Sequence, residues 1–339
     1  MKEVAVQNAV GTVLAHDLTQ IIVGEFKGAK FKKGHVIKEE DIPVLLSMGK
    51  KHLYVLEKED NDVHENDAAF RIASAAAGEG ISLAEPHEGK IELRAECTGL
   101  LKIDRARLYE LVSQDEIMFA SIQENIVVKE GQKLAGTRII PLFISEENMQ
   151  VAEKILADGP IIKVVPLKNM KVGIVTTGSE VYSGLIEDKF GPVLVKKFGD
   201  LGSTVVKQVF ADDDDEMIAG CIRQLVDEGM DIIGVTGGMS VDPDDMTPSG
   251  IRKAGGEIVS YGAPVLPGAM FMLSYIGDVP VVGLPGCVMY SRTSIFDLVV
   301  PRLLAGEKVT KKDINMLAHG GLCLNCEVCT YPMCGFGKA

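Results

Sequence analysis

Four short apolar runs in the second half of the chain each end in a loop crowded with chemically active residues. That recurrence constrains the fold more than any other feature of the sequence. Lys171-Val172-Gly173-Ile174-Val175 leads into Thr176-Thr177-Gly178-Ser179-Glu180, and Ser203 to Phe210 leads into Ala211 and the run Asp212 to Asp215. Ile232-Ile233-Gly234-Val235 leads into Gly237-Gly238-Met239-Ser240, with Asp242, Asp244 and Asp245 close behind. Val279 to Leu284 leads into Pro285-Gly286-Cys287. Near-continuous apolar runs of this length are the pattern of strands buried on both faces of a parallel sheet.

Helical spacing fills the gaps between them. Phe190, Val193, Leu194, Phe198 and Leu201 recur on one face, as do Met217, Ile218, Cys221, Ile222, Leu225 and Val226 before Gly229. A short helix is expected near 247–254, and Ile295, Phe296, Val299, Val300, Leu303 and Leu304 mark the last one. Strand–helix alternation predicts an α/β fold, a doubly wound, mostly parallel sheet in three αβα layers, with right-handed crossovers. Ligands of such sheets bind outside the carboxyl ends of the strands, where all four loops would converge. Paired glycines let a backbone approach a ligand closely, and carboxylates crowded beside them repel unless a cation, a proton or water relieves them. The combination points to an anionic ligand held with a divalent metal.

On these residues, 170–305 resembles the molybdopterin-binding domain shared by MoeA, MogA and gephyrin. The resemblance lies in Thr177-Gly178-Ser179-Glu180, Asp212-Asp213, Gly237-Gly238-Met239-Ser240 through Asp245, Thr247-Pro248, Pro267-Gly268 and Pro285-Gly286. Cys287-Val288 stands where that family has Asn-Pro. The resemblance implies a molybdopterin ligand, free or adenylylated, and Mg²⁺. It implies catalytic roles for Asp245, Glu180 and Asp213, and metal or molybdate contacts for Asp212 and Asp242. Thr177, Gly178, Ser179, Gly237, Gly238, Ser240, Pro285, Gly286 and Cys287 would contact the pterin and its phosphate.

The rest of the chain divides into a small β-rich module over 1–60, an α+β region over 61–165 and a Cys-rich tail over 307–339, around the sheet domain at 166–306. In the first module, strands are expected at Val4–Val6, Gly11–Leu14 and Leu53–Leu56, with a helix from Glu39 to near Gly49. In the second, Lys90–Glu96 and Leu100–Ile103 read as paired strands around Thr98-Gly99. Asp104 and Ser145 read as helix caps, and His64-Glu65-Asn66-Asp67 as a polar helix start.

The tail spacing is C-x2-C-x2-C-x4-C, at Cys323, Cys326, Cys329 and Cys334. Thiolates two residues apart reach one metal centre, and three in this rhythm resemble a ferredoxin ligand run. One metal site is expected there, either one iron–sulfur cluster or a compressed four-thiolate zinc. Four of the seven cysteines lie in this tail, which suits a reducing, cytoplasmic setting. A net charge of −13 argues against a nucleic-acid surface, and no apolar run reaches membrane-spanning length.

Three functions fit this pattern. The first is an enzyme of molybdenum-cofactor assembly, an adenylyltransferase or molybdenumtransferase acting at phosphate through a divalent cation and backbone donors. The second is a carrier or sensor of finished cofactor that docks a molybdoenzyme. The third is a nucleotide pyrophosphatase of the competence-damage type. The expected partners are the pterin or nucleotide and a second copy of the chain.

Overall fold

The computed structural model describes residues 2–22, 26–55, 61–239 and 245–338. It separates into two compact units.

The first unit comprises Met1–Glu96, Ile103–Ile122 and Gly131–Lys163. At its start, strand Lys2–Ala5 pairs antiparallel with His52–Val55, and Leu18–Ile22 forms a hairpin with Phe26–Phe31. Helix Asp41–Ser47 puts Leu45 into a small core with Val6, Leu14, Ile37 and Leu53. Val6 itself begins a single 3₁₀ turn rather than ending a strand. Farther on, an antiparallel sheet runs in the order Ile81–Leu83, Ile91–Ala95, Lys133–Ile139, Ile117–Ser121. Helices Glu65–Ala76, Arg105–Val112 and Glu146–Leu156 start as their sequences indicate. His64, Asp104 and Ser145 each accept a hydrogen bond from a backbone N–H in the first turn.

The expected hairpin around Thr98-Gly99 does not form. Ile91–Ala95 pairs with Ile81–Leu83 and Lys133–Ile139, whereas Gly99–Ile103 pairs with Val127–Val128 in a separate three-stranded sheet that also holds Ile162–Pro166. Gly99 shows why: a Cβ there would lie 2.4 Å from the Val165 carbonyl oxygen. The glycine serves close strand packing, not a turn.

The second unit comprises Cys97–Lys102, Gln123–Glu130 and Val164–Ala339. Its centre is a six-stranded sheet. Four strands are parallel, in the spatial order β2 (Thr204–Ala211), β1 (Lys171–Thr177), β3 (Ile232–Thr236) and β6 (Val279–Leu284). Two antiparallel strands, β5 (Met272–Ile276) and β4 (Glu257–Tyr261), complete the edge beyond β6.

Both sheet faces are covered. On one, α1 (Phe190–Asp200) and α4 (Ile295–Leu304) pack Leu194, Phe198, Phe296 and Val300 against Val172, Ile174, Ile232 and Val282. On the other, α2 (Asp215–Asp227) and α3 (Thr247–Lys253) pack Ile218, Ile222, Leu225 and Ile251 against Val175, Ile233, Val235 and Val281. Successive strand residues thus enter opposite cores, which explains why these strands read as unbroken apolar runs. The fold is the expected three-layer α/β sheet.

The Cys-rich segment is built onto this domain. Helix α5 (Lys311–Met316) starts with a reciprocal cap between Thr310 and Asp313. Arg302 of α4 bonds both Asp313 and Glu307, each pair within 2.8 Å. Beyond the helix, Phe336 is 3% exposed and joins the core that holds Phe296. Tyr331 packs against Phe336 and donates its hydroxyl to the Asp297 carbonyl at 2.9 Å. Among the described residues, no helix is long and apolar enough to cross a membrane.

Candidate functional site

The loops after β1, β3 and β6 meet at the carboxyl edge of the sheet. There, β1 ends in Thr177, whose Oγ1 donates to the Thr236 carbonyl of β3 at 3.0 Å and lies 3.0 Å from Thr247 Oγ1. Thr247 in turn donates to the Gly237 carbonyl at 2.8 Å. Both hydroxyl groups are buried. They tie the end of β1, the Gly-Gly loop and the start of α3 into one network, and buried networks of this kind are rigid when satisfied.

Both glycines of the loop have positive φ, +87° at Gly237 and +49° at Gly238. A Cβ on Gly237 would stand 2.3 Å from the Thr177 carbonyl oxygen, and one on Gly238 would stand 3.0 Å from Thr247 Oγ1. The first glycine is required by contact with β1 before any ligand is considered. Met239 follows, buried over Gly283 of β6, where an added Cβ would lie 2.7 Å from the methionine methyl.

Outside these strand ends lies a cavity of about 590 Å³, within the size range of small-molecule sites. Gly237, Gly238, Asp245, Pro285, Gly286 and Cys287 all line it, so the loops after β3 and β6, distant in sequence, contribute to one volume. The opposite wall is Leu266 to Met270, with Phe190 from α1. Gly268 in that wall has φ +137°, and a Cβ there would meet Ile295 at 2.5 Å. The Cys287 side chain is half-buried, and burial pushes its thiol pKa up, which keeps it protonated at neutral pH. It is a neutral, soft contact on the cavity wall rather than an activated nucleophile.

The remaining expected residues form a different group. Ser179 donates its hydroxyl to Asp212 and Asp213, and its N–H to Asp213 Oδ2 at 2.9 Å. Asp212 also accepts from the Asp213 N–H at 2.8 Å. These bonds, with the Ser179 hydroxyl first, hold the Asp212 carboxyl below its ordinary pKa. Gly178, at φ +133°, donates to the Ala211 carbonyl at 3.2 Å and makes the sharp entry into the short helix Ser179–Tyr182. Glu180 is exposed on that helix, and its carbonyl accepts from Leu185 and Ile186. Thr177, Gly178, Ser179, Glu180, Asp212 and Asp213 are not among the described residues that line the cavity. Ser240 and Asp242 lie outside the described residues.

The expected metal groups are not assembled. Among the described residues, no set of three or more His, Cys, Asp or Glu side chains is placed to hold a metal ion. Near Ser179, Asp212 Oδ1 accepts from the serine hydroxyl and the Asp213 N–H, and Asp213 Oδ2 from the serine N–H. In the tail, Cys323, Cys326, Cys329 and Cys334 carry free thiols spread around a cavity of about 570 Å³ instead of converging on a point.

Residues 173–305 match the family profile of a probable molybdopterin binding domain. Residues 3–57 match a domain of unknown function. A CinA-like protein of Mycobacterium avium is 34% identical over 90 residues, 26% of this chain and 21% of that protein. One of Mycobacterium tuberculosis is 32% identical over the same length. The chain therefore spans about a fifth of the length of the curated relatives it matches. The molybdopterin biosynthesis enzyme MoaB of Thermus thermophilus aligns over 41% of this chain and 98% of its own, at 21% identity and a TM-score of 0.34. The molybdopterin biosynthesis MoeA protein of Pyrococcus horikoshii aligns over 90% of this chain and 74% of its own, at 17% identity and a TM-score of 0.35.

Several parts of this domain escape sequence reasoning. Thr247 was legible only as half of a Thr-Pro pair, because nothing in sequence marks a threonine whose hydroxyl is buried between two loops. Phe190 reads as part of a buried helix stripe and Met239 only as a position of the Gly-Gly loop, and both line the cavity. Thr236 Oγ1 is buried and, among the described residues, has no hydrogen-bond partner, one position before the Gly-Gly loop.

Proposed function

We propose that the cavity outside β3 and β6 binds a molybdopterin-type pterin phosphate or its nucleotide-joined form, in a step of molybdenum-cofactor assembly. The observation that carries this reading is the cavity lining: Gly237, Gly238, Asp245, Pro285, Gly286 and Cys287, from separate loops of a molybdopterin-binding-family domain, border one volume. Its position at the carboxyl edge of a parallel sheet is where ligands of such sheets bind. Asp245 is the catalytic carboxylate of this proposal, half-buried at the cavity wall. The chain's own work is to hold the pterin by backbone and small side chains, and to place a carboxylate where phosphate charge develops.

Glu180 and Asp213, which stand on the neighbouring turn, belong to the proposal as positioning residues for that loop. Mg²⁺ would supply charge neutralisation between Asp245 and a ligand phosphate. The four tail cysteines would hold a metal group, and the setting would be cytoplasmic, with a second copy of the chain or a molybdoenzyme as partner.

A nucleotide pyrophosphatase of the competence-damage type is the second reading, favoured by the CinA-like relatives. Anaerobic incubation with molybdopterin and MgATP, against incubation with a dinucleotide and Mg²⁺ alone, separates them. Pterin-dependent pyrophosphate or AMP release supports the first. Cleavage of the dinucleotide without pterin supports the second. Tight pterin binding with neither product makes the protein a carrier. A chain that binds no pterin and cleaves nothing overturns all three.

A further inference from the structure

The first unit holds a buried charge of its own. Among the described residues, Glu65 alone of the charged side chains is buried, 7% exposed. It opens helix Glu65–Ala76, where the sequence suggests only a polar helix start. The carboxylate turns inward instead and is enclosed by Lys33, Arg138 and Gly89. Lys33 Nζ donates to Oε1, and Arg138 Nη2 stands 3.6 Å from Oε2. Gly89, at φ +73°, passes so close that a Cβ there would lie 2.4 Å from Oε2. Its N–H donates to Asn66 Oδ1 at 3.1 Å, which fixes that crossing.

A buried carboxylate needs a cation and hydrogen bonds to offset its lost hydration, and Lys33 supplies both. Arg138 adds a second cation whose donors are largely unspent. Its Nε donates to the Ile139 carbonyl at 3.1 Å, and among the described residues its terminal nitrogens make no hydrogen bond. Lys33, Glu65 and Arg138 all line one cavity of about 420 Å³. A guanidinium fork with free donors on a cavity wall matches the paired oxygens of a carboxylate or phosphate. Tyr54, Ile140 and Leu142 give the same cavity apolar surface for an organic body. Asp17 and Glu88, both exposed, border it from the solvent side, and Asp17 fixes the lysine turn by accepting from the Lys33 N–H at 2.7 Å. At the buried end two cations face one carboxylate, so a single negative charge is matched there. A second negative charge would meet the field of Asp17 and Glu88.

We propose that this cavity binds a small organic molecule through one carboxylate, which Arg138 takes on its guanidinium fork beside the Lys33 ammonium. Glu65 keeps the two cations side by side without using the terminal donors of Arg138. The inference is independent of what the sheet crevice binds, since every residue it uses belongs to the first unit. Binding is non-covalent, and no bond is made or broken.

The test is a calorimetric titration of the full chain near neutral pH and at low salt, with phenylacetate, phenyl phosphate and 2-phenylethanol as probes. Phenylacetate should bind with a Kd of about 1 mM or tighter, the scale of one charged fork and a small apolar contact. The uncharged 2-phenylethanol should bind at least about tenfold more weakly. Phenyl phosphate, with its second charge, should also bind more weakly than phenylacetate. Arg138→Gln should lose at least about tenfold in phenylacetate affinity, and Arg138→Lys, which keeps the charge without the fork, should fall between the two. In the wild type, phenylacetate should protect Arg138 from an arginine-specific dicarbonyl reagent, read by peptide mass spectrometry, which keeps the test valid even where a variant folds poorly. No phenylacetate bound by the wild type, equal affinity in a folded Arg138→Gln protein, or Arg138 modified equally fast with and without the probe overturns the proposal. Phenyl phosphate bound more tightly than phenylacetate overturns it as well, because the site would then be one for phosphate.

Discussion

In the crevice, the residues that make the motif also hold the loops in place. Gly237 is pressed against the Thr177 carbonyl and Thr247 spans two loops through its hydroxyl, while on the neighbouring turn Ser179 bonds Asp212 and Asp213. In the tail the two duties are only partly joined, since Cys323 and Cys334 pack against the domain core while Cys326 and Cys329 are exposed. Phe336, Tyr331, Gly337 and the Arg302–Asp313 pair fasten the segment, and the exposed Cys326 and Cys329 have no such part. A motif residue in the crevice is therefore weak evidence of ligand contact, because the backbone would need many of them anyway. Among the tail cysteines, only Cys326 and Cys329 are exposed and without a part in that packing.

Substitutions break or sharpen that contrast, and the largest effect should come from a tail anchor. Phe336→Ala removes a buried aromatic side chain and should cost about 3–5 kcal/mol in denaturant unfolding, with early loss of protection in the tail. Cys326→Ala beside it should stay within about 0.5 kcal/mol of wild type. A tail that unfolds equally in both would mean that its cysteines are structural after all.

Gly237→Ala comes next. Strain at φ +87° and collision with the Thr177 carbonyl should cost at least about 2 kcal/mol, measured by thermal unfolding in the absence of any ligand. A fully stable Gly237→Ala protein would return this glycine to a purely ligand-facing role.

The acid limb of stability gives a smaller effect. Burial raises the Asp313 carboxyl, but hydrogen bonds from Thr310 and Arg302 outweigh it and hold its pKa at about 2, against 3.8 in the unfolded chain. The folded value is depressed, so this stabilisation is complete above the unfolded pKa and disappears as pH falls through about 4 towards about 2. Hydrogen exchange across Lys311–Met316 should accelerate in that window, and Asp313→Asn should abolish the dependence.

How much was legible in advance follows the same physical divide. β1, β3 and β6 were visible because nearly every position is buried, and the edge strand β2 because of its β-branched run despite Lys207 and Gln208. β4 and β5 were not: Glu257, Ile258 and Tyr261 of β4 are exposed at the sheet edge, so its pattern carries no clear period. The pairing of Lys90–Glu96 with Leu100–Ile103 failed because Gly99 suited a turn as well as it suits the close strand contact it makes. Around the site, glycines, prolines and Asp245 announced themselves by type. The buried threonines did not, since threonine is ordinarily a surface residue and its hydroxyl geometry is set by chain segments far away.

The smallest expected effect concerns one of those threonines. Thr236→Val replaces a buried hydroxyl that has no partner among the described residues and should stabilise the domain by about 0.5–1 kcal/mol. Loss of stability instead would reveal a partner for that hydroxyl.

Asp245→Asn tests the central claim most directly, because it keeps the shape of the cavity wall and removes one charge. Pterin binding and Mg²⁺-dependent AMP or pyrophosphate release should be followed anaerobically in wild type and variant. The expected result is an unchanged melting temperature, pterin affinity equal or tighter, and turnover lower by at least about a hundredfold, the scale of losing one strong electrostatic contact in a transition state. Undiminished turnover in a folded Asp245→Asn protein, or no pterin bound by the wild type, would contradict the assignment of this crevice.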